Sequence, residues 1–99
     1  MAGEPIDPKI VAERLNERAK GTNVEARGTR FVEVSAERAV AELAFCPDLA
    51  QLTGLFHGGV ILSLADETAT ACSIANVMPD GMWDPAKFPL TIQLSANLI

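Results

Sequence analysis

One stretch constrains this chain more than any other: from about Gly58 to about Val77 it is apolar around most of its helical circumference. Val60, Ile61, Leu62, Leu64, Ala65, Ala69, Ala71, Cys72, Ile74, Ala75 and Val77 leave little of that surface for water. A helix that is apolar nearly all round is a buried one. Its alanines let neighbouring backbone come close. Ser63, Asp66, Thr70 and Ser73 break the pattern at spacings of three, four and three, which puts them on one face. The expectation is a buried helix with one narrow polar stripe and an acid in it. The chain has 99 residues, enough for one domain. The rest of it must therefore cover this rod.

The covering elements are legible in outline. Asp7 suits an N-cap and Pro8 the first helical position, so a helix starts there. Val11, Leu15 and Ala19 give it a thin apolar stripe, and Gly21 is a natural stop. Apolar and polar residues then alternate from Arg30 to Ser35 and again from Arg38 to Phe45, which predicts a hairpin turning near Ser35–Arg38. Pro47 and Asp48 end its second strand, and a loop through Gln51 to Gly54 leads to the long helix. Beyond it, alternation from Leu90 to Ile99 reads as a third strand. Three strands cover a long buried helix poorly, and two more would correct this. The expectation is a single domain over residues 1–99, truncated at its C-terminus or completed by strands of a second chain.

Composition removes several functions. The net charge is −5, with 13 acids against 8 bases and no Lys/Arg run, so nucleic acid is not an expected partner. Cys46 and Cys72 lie far apart and form no CxxC pair. With no signal peptide in view, both read as free thiols in a reducing, cytoplasmic compartment. The apolar runs are broken well short of ~18 residues, so no membrane span is expected. His57 is the sole histidine, which excludes any metal site that needs two. No metal and no cofactor are expected.

The chemistry gathers at Leu55-Phe56-His57-Gly58-Gly59 and, further along, Asp66. Glycines at a helix start let a ligand approach the backbone. The first N–H groups of a helix lack internal partners and carry partial positive charge, so they can hold an oxyanion. Asp66 lies two turns on, roughly 12 Å along the axis. A single helix cannot bring Asp66 to its own Gly58 N–H. If both act on one substrate, a second copy must supply one of them. Structural readings stand beside this one: Gly58-Gly59 as a tight entry turn, His57 as a satisfied structural histidine at a helix start, Asp66 as the partner of an arginine or a residue facing water, and the polar stripe as a solvated face. Glu67 points about 100° away from Asp66 and reads as a surface residue or an arginine's partner. Phe31, Phe45, Phe56, Trp83 and Phe88 read as core or interface residues.

His57-Gly58-Gly59 followed by Leu64-Ala65-Asp66, an acid nine positions after the histidine on an alanine-rich helix, resembles the phenylacetic-acid-pathway type of hot-dog thioesterase. The resemblance runs from about Arg30 to the last residue. It implies an α+β hot-dog fold, an antiparallel sheet wrapped around a long central helix, whose C-terminal strands lie beyond Ile99. It implies hydrolysis of an acyl-CoA thioester in a homodimer or homotetramer, with the site shared between subunits. Under it, the Gly58 N–H polarises the thioester carbonyl and Asp66 of the other subunit activates water or attacks. His57 helps to place the thioester, and Gln51 orients the nucleophile. Gly59, Thr70 and Thr91 are implied in substrate binding, Thr91 beside the acid. An inactive acyl-CoA-binding or dimerisation module of the same fold is the alternative. A hot-dog dehydratase would need other local motifs, which the sequence lacks.

Overall fold

A computed structural model describes residues 6–78, 84–91 and 93–96. Helix α1 spans Pro8–Ala19. Asp7 caps it by accepting the Lys9 N–H at 2.9 Å, and proline fills a position that needs no N–H. Val11, Ala12 and Leu15 form its buried stripe. Gly21 ends the run with φ +78, a left-handed conformation that side chains with a Cβ resist. A four-residue helix, α2 (Asn23–Ala26), follows where the sequence gives no periodic signal.

The hairpin forms as expected, with a shorter second strand. Strands β1 (Arg30–Val34) and β2 (Ala39–Glu42) pair antiparallel, Phe31 opposite Ala41 and Val34 opposite Ala39, with a bulge between Phe31 and Glu33. The turn closes through Ser35 N–H donating to the Arg38 carbonyl at 2.8 Å. The Ser35 hydroxyl oxygen accepts the Arg38 N–H at 3.1 Å. On the outer edge of β1, the Asn16 amide donates to the Phe31 carbonyl and accepts the Phe31 N–H, both at 2.8 Å. One side chain from α1 thus satisfies the backbone groups that another strand would use.

Helix α3 spans Gly58–Val77, the bounds read from the sequence. Its buried side chains, Ala71, Ile74 and Ala75, join Val11, Leu15, Phe31, Val34 and Met78 in one core. The Cys72 thiol donates to the Ser35 and Ala36 carbonyls at 3.2 and 3.3 Å, tying the helix to the hairpin turn. The expectation of burial all round is corrected here. Ile61, Ala65, Ala69, Ser73 and Asn76 are exposed along one flank, because a two-stranded sheet and α1 cover only the other side. The expected strand from Leu90 is also corrected: its described residues, 90, 91 and 93–96, form no ladder, and Ile92 and residues 97–99 lie outside the described set. Among the described residues the architecture is α+β: a two-stranded antiparallel sheet between α1 and a long helix.

Candidate functional site

The N-terminus of α3 is fixed by the loop before it. The His57 N–H donates to the Leu49 carbonyl at 2.9 Å and the Gln51 N–H to the Leu55 carbonyl at 2.7 Å. Phe45 and Phe56 meet edge to face, ring centres 5.1 Å apart. These contacts set His57 as the N-cap: its Nδ1 accepts the Gly59 N–H at 2.9 Å. A side chain at Gly59 would crowd that imidazole, since a Cβ there would stand 3.1 Å from Nδ1. An accepting Nδ1 carries no proton, so in the neutral ring the proton sits on Nε2. The carbonyl of His57 takes the Val60 and Ile61 N–H groups. Gly58 stands first in the helix, where its N–H has no acceptor within the helix. The Gln51 side chain turns into its own loop, where Oε1 accepts the Thr53 N–H at 2.5 Å.

Asp66 lies about 12 Å along the axis from Gly58. The Thr91 hydroxyl donates to its Oδ1 at 2.5 Å. Around this pair two cavities meet. One, of about 440 Å³, lies between α1 and α3 and is walled by Leu15, Ala19, Phe31, Ala71, Ile74 and Phe88 among others. The second, of about 380 Å³, runs along Ala69, Ser73, Gln93 and Leu94. Asp66, Thr70, Pro89, Leu90 and Thr91 belong to both. The carboxylate therefore sits at the junction of an apolar chamber and a more polar groove. Of the polar stripe, Asp66, Thr70 and Ser73 share the second groove, while the Ser63 hydroxyl donates back to the Gly59 carbonyl at 2.9 Å.

Glu67, next to Asp66, has the arginine partner that is one of its two sequence readings. It forms an ion pair with Arg27, and both side chains are largely buried, 13% and 15% exposed. The pair joins α3 to the end of α2. Breaking a buried pair leaves one charge without compensation. Arg27→Ala is expected to lower unfolding free energy by about 3–5 kcal/mol, read from a urea titration, with Glu67 left unpaired in the chamber wall.

The structure thus brings together Asp66, Thr70 and Thr91. It holds Gln51, His57, Gly58 and Gly59 at the other end of α3 within one chain. Phe88 in the chamber wall, Pro89 and Leu90 at the junction, and the α1 wall of the chamber carry no site signal in the sequence. The stripe Val11, Leu15, Ala19 is the available signal, since two of its members line the chamber. Among the described residues, no three His, Cys, Asp or Glu side chains are placed to share a metal ion. Among them also, no helix is long and apolar enough to cross a membrane.

The chain is similar to a Deinococcus radiodurans protein described as "Putative esterase". The two are 34% identical over 80 residues, which is 77% of this chain and 50% of that protein. The chain thus spans about half the length of the curated relative it matches. No family model matches the sequence. No solved structure matches it either.

Proposed function

We propose that this chain is a hot-dog thioesterase subunit that hydrolyses acyl-CoA. The observation that carries the reading is the Thr91–Asp66 hydrogen bond at the junction of the two cavities. A hydroxyl that donates to Oδ1 fixes the carboxylate's orientation and leaves Oδ2 to take a proton from water. That water attacks the thioester carbonyl carbon. A carbon–oxygen bond forms, the carbon–sulfur bond breaks, and the proton ends on the departing thiolate. The likeness to a protein described as an esterase supports hydrolysis of an acyl bond. The α+β arrangement of a hairpin against a long helix is compatible with a hot-dog.

The oxyanion needs a donor that Asp66's own helix cannot supply at about 12 Å. We assign that role to Gly58 N–H of a second copy, with two α3 helices antiparallel. The exposed flank of Ile61, Ala65 and Ala69 supports this, because small side chains let two helices approach. His57, by capping α3, holds the Gly58 N–H in place. Gln51 then acts on the donor side of the shared site, where its loop precedes His57. Gly59 gives the imidazole room, and Thr70 lies along the substrate beside Asp66. The chain then works as a cytoplasmic homo-oligomer and needs no metal or cofactor.

The test is release of free thiol from acyl-CoA, followed with a thiol reagent. The wild-type protein is expected to release it. Thr91→Val is expected to slow kcat by roughly tenfold or more, the loss of one hydrogen bond to a charged group worth about 1.5–3 kcal/mol. Acyl-CoA binding with no thiol released by the wild type would replace this reading with that of a binding module.

A further inference from the structure

The two cavities at Asp66 differ in chemistry, and the difference assigns the two halves of a substrate. Beside Asp66, the 440 Å³ chamber has mainly apolar walls from α1, α2, β1, α3 and the segment around Phe88, broken by Thr22, Thr70 and Thr91. Two other charged residues line it: Arg18, on an exposed position of α1, and Glu67, whose carboxylate is paired with Arg27. The volume lies within the roughly 300–1,000 Å³ usual for small-molecule pockets. The other groove alone holds Ser73 and Gln93 as hydrogen-bonding groups, Thr70 and Thr91 being common to both. An amide-bearing leaving arm suits that groove, and an apolar acyl group suits the chamber.

The chamber's reach can be read along α3. Its wall runs from Asp66 to Ile74, eight residues or about 12 Å at 1.5 Å each. A zigzag chain advances about 3.5 Å per three bonds, as extended backbone does, so about 12 Å takes roughly ten bonds. Ala71 stands about 7.5 Å along that path. It is 1% exposed and lines the chamber, so a larger side chain there would stand where the middle of an acyl chain must pass. Ala19, half-buried, faces the same space from α1.

We propose that the chamber between α1 and α3 receives straight acyl groups of about eight to ten carbons, and that Ala71 and Ala19 set the limit on their length. This rests on the thioesterase reading for its chemistry, yet the chamber can be tested separately. Thiol release is measured from butyryl-CoA and octanoyl-CoA with wild type, Ala71→Leu and Ala19→Leu. The wild type is expected to favour octanoyl-CoA in kcat/KM. In both variants the octanoyl-to-butyryl ratio is expected to fall by about tenfold or more, within the range that pocket packing gives per methylene-scale change. Calorimetric binding of octanoyl-CoA to the same three proteins gives a readout that needs no turnover. Ala19→Leu, at a half-buried position, guards against Ala71→Leu failing to fold.

The outcomes separate. Hydrolysis of both substrates with an unchanged ratio in the folded variants overturns the chamber assignment and leaves the thioesterase reading standing. No thiol release, but at least tenfold weaker octanoyl-CoA binding in the variants, overturns hydrolysis and upholds the chamber. Neither turnover nor binding overturns both.

Discussion

Asp66→Asn is expected to lower kcat for thiol release from acyl-CoA by about 10²–10⁴, the usual contribution of a positioned general base. The substitution is nearly isosteric. The asparagine carbonyl oxygen can still accept the Thr91 hydroxyl, so the junction keeps its shape. What is lost is the lone pair basic enough to take a proton from water. Urea midpoint and acyl-CoA affinity are therefore expected to stay close to wild type while turnover falls. That combination distinguishes a catalytic acid from a structural one. Asp66→Ala would not separate them, because it removes the Thr91 contact as well. Octanoyl-CoA hydrolysed by Asp66→Asn at the wild-type rate would reduce Asp66 to a hydrogen-bonding group in a cavity wall.

Features written in local chemistry were legible in the sequence. Asp7-Pro8 and Gly21 bracket α1, and period-two alternation around Ser35–Arg38 gives the hairpin. The helix from His57-Gly58-Gly59 to Val77 was readable from both its start signal and its apolar run. Features that depend on a neighbour were not. Alternation from Leu90 describes a strand only if an edge is free to pair with it, and Asn16 occupies the Phe31 backbone on the outer edge of β1. Apolar periodicity of α3 says which faces avoid water but not what covers them, so its exposed flank could not be foreseen. At the site, Thr91 beside Asp66 followed from family resemblance, since 25 residues separate the two and no spacing rule links them. The chamber was hidden for the same reason: its walls come from α1 and α3, which only tertiary packing brings together.

The donor half of the proposed site permits an unusually clean substitution. Gly58 is the first residue of α3, where proline is well tolerated because that N–H has no helical acceptor. Proline restricts the residue before it to extended backbone, and His57 already has φ −66 and ψ 129. Gly58→Pro should therefore keep the helix and delete one N–H. Loss of a single oxyanion donor costs about 10²–10³ in kcat, and that is the expected result. The circular dichroism of α3 should be unchanged. The variant also tests whether the site is shared. In an isologous pair, each site takes Gly58 from one copy and Asp66 from the other. Co-folding equal amounts of Gly58→Pro and Asp66→Asn chains then produces mixed pairs with one doubly damaged site and one intact site. Random pairing makes half the pairs mixed, so roughly a quarter of wild-type turnover should return. Two lesions acting within one chain would give no rescue, since neither partner would hold an undamaged set. Because the two groups stand about 12 Å apart on one rigid helix, the antiparallel arrangement requires that rescue. Its absence, with both single variants folded and inactive, would place the oxyanion donor somewhere other than Gly58 of a second copy.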